Sequence, residues 1–364
     1  MLVSIITTTI NNPSFLKYYF DNLTKFNINN VKIIVVGDRK TDSKSYDKDF
    51  EYPIEYWDID SQSIYLNKLS KNTDMELIFP ENDPLRRNFG YLRAIELGSE
   101  VIITIDDDNL PIKCNFIGEH LSALNNERVV QYNCISKIIN PCDFIDTEPK
   151  IFSRGYPITR LFNNRNPLRS TTRQKKNVML NMGLWTNKPD TDSYFNIMFP
   201  DLYSKKYLLH HNVAVDEDMY FPVNTQNTAI KGDATYIFHN EYMDLVGDYP
   251  LHRFDDIWGG LFTLKVIHKN KHTASFGRPI VEHRRNTHNY SKDLQHEFMG
   301  ISINEKIWSE VINMELDSEG YIDGYLEIAS NLLGLNNVNK AIKDYIEKLV
   351  SCMELWIELV DKVR

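Results

Sequence analysis

The stretch that most constrains the fold runs from Val101 to Asp108, VIITIDDD, where a strand of buried type meets three consecutive carboxylates. Val101, Ile102, Ile103, Thr104 and Ile105 are β-branched throughout with almost no polar interruption, the pattern of a strand covered on both faces in a parallel sheet. Such sheets open their ligand crevice at the carboxyl ends of the strands, which is where Asp106, Asp107 and Asp108 fall. If the chain stays extended through them, Asp106 and Asp108 share one side and Asp107 takes the other. Two hard oxygen ligands on one side suit Mg²⁺ or Mn²⁺ held against a phosphate; a bare acidic triplet also suits a solvated turn.

The preceding residues build a βαβ unit around this strand. Leu2 to Ile6 reads as a first strand, Asn12-Pro13 opens a helix from Phe15 to Leu23, and Val31 to Val36 is a second strand closed by Gly37 and Asp38. Both strand ends lie on one edge of the sheet, so Thr7, Thr8 and Asp38 stand where hydroxyls and a carboxylate can read a nucleobase and its ribose. Ordinary turn chemistry accounts equally well for any one of them alone. The apolar Met1 to Ile10 carries no basic leader and no run is long enough to cross a bilayer, so a cytoplasmic protein is expected. Residues 40–80 are polar and Tyr-rich, with a weak strand at Ile54 to Trp57 and no assignable chemistry.

A net charge of -9 argues against nucleic acid or an anionic membrane as the main partner, so an anionic substrate needs a metal or a local positive site. Leu85 to Gly98 offers one. Leu85, Phe89 and Leu92 form an apolar helical stripe, while Arg86, Gly90 and Arg93 fall on another face with Arg87 beside them. Small Gly90 lets a ligand or strand approach, and the guanidiniums supply charge. Leu161 to Lys176, with Arg165, Arg169, Arg173, Lys175 and Lys176 following Arg160, reads as a mobile basic loop able to close over a diphosphate. The four cysteines form no CxxC pair and are expected as reduced thiols.

A second acidic cluster lies in His252 to Gly260, HRFDDIWGG, where Asp255 and Asp256 precede Trp258. A carboxylate beside a stacking surface suits a sugar ring and a base near its anomeric carbon, and Asp at a helix start also suits a plain cap. Ile280 to Asn286 ends a short strand with His283, Arg284 and Arg285. From Asn337 onward, Ile342, Ile346, Leu349, Met353, Trp356 and Val360 form an amphipathic helix, suited to packing on the main domain or to a seam between copies of the chain.

Several segments in order resemble the reversibly glycosylated polypeptide family, whose plant members include UDP-L-arabinopyranose mutases: Arg87 before Phe89-Gly90-Tyr91, TIDDD at Thr104 to Asp108, RGYP at Arg154 to Pro157, GLWTNKPD at Gly183 to Asp190, and RFDDIW at Arg253 to Trp258. The resemblance covers roughly residues 1–310. It implies a GT-A-like (Rossmann-like) α/β fold, a mixed and mostly parallel sheet flanked by helices, with a catalytic domain at residues 1–300 and a helical extension at 301–364. It further implies a UDP-sugar substrate, Mn²⁺ or Mg²⁺ at Asp106, Asp108 and His283, and glycosylation of Arg154 during pyranose–furanose interconversion. The binding set expected is Thr7, Thr8, Asp38, Arg87, Gly90, Asp106, Asp107, Trp185 and Trp258, with Arg154, Asp255 and Asp256 as the catalytic group. The chain departs from the family in carrying Leu161 at its second arginine, with Arg160 one residue early, and Arg86, Asn88 and Asn109 where it has cysteines. A metal-dependent glycosyltransferase with an external acceptor and a non-catalytic scaffold are the alternatives.

Overall fold

A computed structural model describes the chain apart from residues 126–127, 162–168, 171–173, 176 and 287–288. The β-branched runs form strands as their pattern demands: β1 (Val3–Thr9), β2 (Val31–Gly37), β3 (Ile54–Trp57) and β4 (Val101–Ile105), all parallel to their neighbours in this half of the sheet. Helix α1 (Leu16–Lys25) crosses between β1 and β2, after a short 3-10 turn in which the Asn12 side chain accepts from the Ser14 amide at 3.1 Å. Helix α2 (Ile59–Leu69) lies in the polar, Tyr-rich segment, and α3 (Arg87–Glu96) leads into β4.

The sheet continues through β5 (Asn109–Pro111), β6 (Gln131–Asn133), β7 (Arg169–Ser170), β8 (Val178–Asn187), β9 (Val213–Val215), β10 (Asn227–Lys231) and β11 (Thr273–His283). Its order is β3-β2-β1-β4-β10-β8-β11-β9-β6-β7, with β5 paired to β11. β10 runs antiparallel to β4 and β8, whereas β8 and β11 are parallel. The β5–β11 register sets Asn109 opposite His283, which brings the acid triplet to the end of the last long strand. The result is a mixed α/β sheet flanked by helices, consistent with a GT-A-like fold.

Helix α4 (Phe116–Leu124) and the long α5 (Asp255–Lys269) cover the sheet. From Asp255 to His268 every residue of α5 is buried, Asp255, Asp256, Lys265 and His268 included, because the helix is sandwiched between the sheet and further helices. Those helices are α6 (Tyr290–Asn313), α7 (Tyr321–Leu333) and α8 (Lys340–Val363). In α8 the side chains of Ile346, Leu349, Met353, Trp356 and Val360 are buried in the same hydrophobic core as the sheet, Trp356 Nε1 donating to Tyr236 O at 2.8 Å. The apolar stripe is thereby spent within the chain, at about 1.5–3 kcal/mol for each large side chain removed from water. The expected division at residue 300 falls inside the continuous helix α6. No described helix is long and apolar enough to cross a membrane.

Candidate active site

The site is built around Arg154. Its RGYP turn requires glycine at 155, where φ is +76° and a Cβ would lie 2.5 Å from Ile257 Cγ2. The turn folds back on the GLWTNKPD segment, with Arg154 N donating to Asp190 O at 3.0 Å. The buried guanidinium then meets two carboxylates. Nε donates to the two oxygens of Asp190 at 3.2 and 3.1 Å, while Nη1 and Nη2 donate to Oδ1 and Oδ2 of Asp256 at 2.9 and 2.6 Å. Nη1 also donates to the carbonyl of Arg253, a residue held in the left-handed region at φ 67°. Burial disfavours the Arg154 charge, but Asp190 and Asp256 outweigh it and hold the guanidinium pKa well above its ordinary value.

Asp255 and Asp256 occupy the first turn of α5, so both carboxylates face this cluster from one helix end. Burial, with the adjacent Asp256 charge adding to it, pushes the Asp255 carboxyl up to about 7, against a hydrogen bond from Asn240 Nδ2. A carboxyl titrating there is suited to both giving and taking a proton at neutral pH. Arg154, Asp255 and Asp256 line a cavity of about 390 Å³, joined on the sheet side by Arg87 and Asp106 and closed by Gln226 and Asn240. Asn240 Oδ1 and Gln226 Oε1 are buried with no hydrogen-bond partner among the described residues, two acceptors open to a hydroxyl or amide donor.

The acid triplet divides into three separate roles. Asp106 Oδ1 accepts from Arg87 Nη2, and Arg87 Nη1 donates to Thr104 Oγ1 at 2.9 Å and to Thr225 O at 2.6 Å, so the guanidinium is occupied by the protein itself. Asp107 turns away and accepts from Thr9 Oγ1 and from Asn11 Nδ2 at 2.8 Å. The backbone closes a turn here, Asn109 N donating to Asp106 O at 3.1 Å, in place of the extended run assumed from the sequence.

Asp108 and His283 form the part of the triplet that fits a cation. His283 Nδ1 lies 2.7 Å from Lys188 O; a carbonyl only accepts, so the proton sits on Nδ1 and the Nε2 lone pair points outward. That lone pair faces Asp108 Oδ2 at 3.6 Å. Asp108 Oδ2 also accepts from the Asn286 amide at 3.2 Å, so its remaining lone pair and that of Nε2 would hold a cation between them, and the backbone carbonyl behind the imidazole is the usual support for a metal-ligating His. Among the described residues no three His, Cys, Asp or Glu groups converge as a complete ligand set.

Other expected site residues serve the scaffold. Trp185 and Trp258 are fully buried and offer no stacking face; Trp258 Nε1 donates to Asn304 Oδ1 at 3.0 Å, and Asn304 Nδ2 to Gly155 O at 2.8 Å, which supports the Arg154 turn from behind. At Gly90 a Cβ would lie 3.2 Å from Val36 Cγ2 and 3.3 Å from Ile6 Cβ, so its smallness serves the packing of α3 on the sheet and not a ligand. Thr7 is buried, Thr8 Oγ1 donates to Val36 O at 3.1 Å, and the Asp38 carboxylate accepts from the amides of Asn82 and Asp83 at 2.9 and 3.2 Å. Asp38 thus shapes the rim of the cavity without facing it. Arg86 and Arg93 are not a solvated face: Arg86 is buried, and Arg93 pairs with Glu55 and Glu96. Most of the basic loop lies outside the described residues; Arg160 Nη1 donates to Ser136 O at 2.5 Å.

Two cations to which the sequence assigned no role of their own are Lys188, whose carbonyl meets His283 Nδ1, and Arg285, which feels the charges of Asp190 and Arg253. Lys188 is buried, its Nζ donating to Pro200 O at 2.6 Å, and Arg285 lies over the Tyr290 ring with its Nη1 buried and unpartnered among the described residues. Neither makes an ion pair among the described residues, and burial lowers the pKa of both. Asp190, missed as the second partner of Arg154, sits with Lys188 in the GLWTNKPD segment, which was the available signal.

The model of the family described as reversibly glycosylated polypeptide matches residues 3–364. UDP-arabinopyranose mutase 2 of Arabidopsis thaliana is 26% identical over 293 residues, 77% of this chain and 73% of its own length. UDP-arabinopyranose mutase 1 of Oryza sativa subsp. japonica is 27% identical over 293 residues, 77% of this chain and 72% of its own. A solved structure described as a mycobacterial protein aligns with 84% of this chain and 74% of its own at 7% identity and a TM-score of 0.39. The family model spans nearly the whole chain and the mutases, which are enzymes, align over three quarters of it: the chain belongs to the reversibly glycosylated polypeptide family.

Proposed function

We propose that the protein is a nucleotide-sugar mutase that interconverts pyranose and furanose forms of a UDP-sugar, with Arg154 holding the sugar while UDP waits. The observation that carries this reading is the paired geometry of Arg154 and Asp256 beside the Asp255 carboxyl in one buried cavity. The similarity to UDP-arabinopyranose mutases supports the substrate class. Ring contraction needs the anomeric carbon kept in place after its bond to UDP breaks. The leaving oxygen takes the bonding pair; Arg154 Nη2 forms the new C–N bond and passes its proton to Asp256 Oδ2, 2.6 Å away. Asp255 then protonates the ring oxygen as its bond to the anomeric carbon breaks and the Arg154 nitrogen pair forms a C=N bond in its place; a second hydroxyl adds to that carbon, returning the pair to nitrogen and giving its proton to Asp255. UDP returns to the same carbon as Asp256 gives the proton back.

On this reading Lys188 and Arg285 meet the diphosphate charge, the role the sequence suggested for Arg87. Asp108 and His283 would hold Mn²⁺ or Mg²⁺, which when bound neutralises the departing diphosphate. NMR of UDP-L-arabinopyranose incubated with the protein and Mn²⁺ tests the proposal: furanose signals without added acceptor support it. Consumption only when an external acceptor is supplied identifies a transferase instead, and an inert spectrum with bound UDP identifies a scaffold.

A further inference from the structure

Asn240 is the residue of the cavity wall whose side chain donates to Asp255, from Nδ2 to Oδ2. Its backbone is held from outside the cavity. Asn88, in the first turn of α3 and fully buried, is not part of the lining but pairs with the peptide groups of Asn240 in both directions. Asn88 Oδ1 accepts from Asn240 N at 2.9 Å, and Asn88 Nδ2 donates to Asn240 O at 2.8 Å. A further bond from Nδ2 to Ile78 O at 3.2 Å fixes the plane of the Asn88 amide. A side-chain amide offers a donor and an acceptor side by side, as a neighbouring strand would; a carboxylate lacks the donor and an apolar side chain lacks both. Beyond Asn240 the same strap is tied elsewhere, Glu241 N donating to Asp255 O at 3.1 Å and Tyr345 OH, from α8, to Tyr242 O at 2.6 Å.

We propose that Asn88 is a positioning residue for proton transfer in the catalytic pocket, holding the peptide of Asn240 so that the Asn240 amide is aimed at the Asp255 carboxylate. This role rests on the proton-carrying part proposed for Asp255. A donated hydrogen bond favours the charged form of a carboxyl. The Asn240 amide thus works with Arg154, and against burial and the charges of Asp256 and Asp83, in setting where Asp255 titrates. Glu241 on the strap and the Tyr345 hydroxyl on α8 also face Asp255. Without Asn88 the Asn240 peptide loses both of its partners there, and Asp255 loses its aimed donor.

Carbon-13 NMR of the full chain labelled at its aspartate carboxyls follows Asp255 directly, its signal being the one absent in Asp255→Asn. Asn88→Ala should raise the Asp255 titration by about one pH unit, a tenfold change in its ionisation constant, and Asn240→Ala should match it. Should Asn88→Ala fail to fold, Asn88→Ser, which leaves a hydroxyl in place of the amide, should give a smaller rise in the same direction. Tyr345→Phe removes a hydrogen bond to the same strap without touching Asn240 and should leave the Asp255 titration where it is. Asp255 enters the proposed reaction protonated, so in Asn88→Ala the alkaline limb of the kcat profile should move up with the titration while UDP affinity stays unchanged. The NMR titration needs no turnover: a wild type that never interconverts the sugar sinks the mutase reading alone. An Asp255 titration unmoved in the folded Asn88 variants, or moved equally by Tyr345→Phe, would overturn the role of Asn88.

Discussion

Arg154 and Asp256 meet as a two-pronged pair, Nη1 to Oδ1 at 2.9 Å and Nη2 to Oδ2 at 2.6 Å, inside a pocket where both side chains are 6% exposed. The pairing holds the guanidinium flat and gives its Nη2 proton a destination. Asp256→Asn keeps the shape and removes that destination. The expected outcome is a loss of interconversion by a factor of about 10²–10⁴, the usual worth of a positioned base, with UDP affinity unchanged. Intact-mass analysis after incubation with UDP-sugar should show one sugar adduct in the wild type and none in Arg154→Ala. An adduct that survives in Arg154→Ala places the covalent hold elsewhere.

Arg87 is predicted to act through stability. It ties α3 to Thr104, Thr225 and Asp106, and its Nε is already buried without a partner. Truncation to Ala leaves the Asp106 carboxylate without its guanidinium, while Thr104 Oγ1 still donates to Thr225 O at 3.0 Å, at a cost of roughly 3 kcal/mol in the range for broken buried pairs. Urea unfolding measures this directly. A variant of wild-type stability but weakened UDP binding would return Arg87 to the role of a diphosphate clamp.

The sheet's first half was legible because its strands are buried on both faces and spell this in β-branched residues, as at Val31 to Val36 and Val101 to Ile105. Arg154, Asp255 and Asp256 were legible as motif residues, but their meeting was not: residues 154 and 256 are brought together by the crossing of the RGYP turn over the start of α5, which no local pattern encodes. Trp258 was read as a stacking surface because an aromatic beside an acid looks alike whether it faces a sugar or a core, and Trp185, expected from the resemblance alone, is likewise buried. Lys188 and Arg285 drew no role from the sequence, since a cation's lack of a counter-ion among the described residues is a property of the folded surroundings alone.

Those two cations are predicted to carry the diphosphate. Lys188→Ala and Arg285→Ala should each weaken UDP binding by about 1–3 kcal/mol, the range for charge-assisted hydrogen bonds, and leave uridine binding nearly unchanged. Calorimetry with both ligands separates a phosphate role from a general loss of the pocket, because the latter weakens uridine equally.

Stability should fall as pH rises from about 6.5 to about 8, a window set by groups of opposite sign. Burial raises the Glu241 carboxyl to about 8 and, with the Glu297 charge adding, that of Asp192 to about 8; Asp255 is raised to about 7. A carboxyl raised on folding contributes stability that is present at low pH and lost as pH climbs through the folded value. Burial also lowers His239 to about 3 and His120 to about 4, and their contribution is complete above the unfolded value of 6.5. Above that point only the carboxyls still change, so Tm declines. Glu241→Gln, which preserves the acceptor for Tyr325 OH at 2.7 Å, should flatten the decline. A Tm that is level or rising across the window would show these carboxyls to be ionised in the fold.

The last prediction concerns the cation at Asp108 and His283. With the His283 proton fixed on Nδ1 by Lys188 O, the Nε2 and Asp108 Oδ2 lone pairs face one another at 3.6 Å, an arrangement that either a metal ion or a proton can relieve. The two therefore compete for the same lone pairs, and binding of Mn²⁺ requires His283 in its neutral form. Two protein ligands leave most of the coordination shell to water and substrate, so Mn²⁺ alone should bind weakly and UDP should tighten it. Electron paramagnetic resonance of free Mn²⁺, titrated with the protein in the presence and absence of UDP, reads both effects without relying on turnover. His283→Ala and Asp108→Asn should each abolish the UDP-dependent uptake, whereas Asp107→Asn should leave it intact, because Asp107 is turned toward Thr9 and Asn11. Uptake that survives both substitutions, or full interconversion in excess chelator, would remove the cation from this pair and leave the lone pairs to be bridged by a proton.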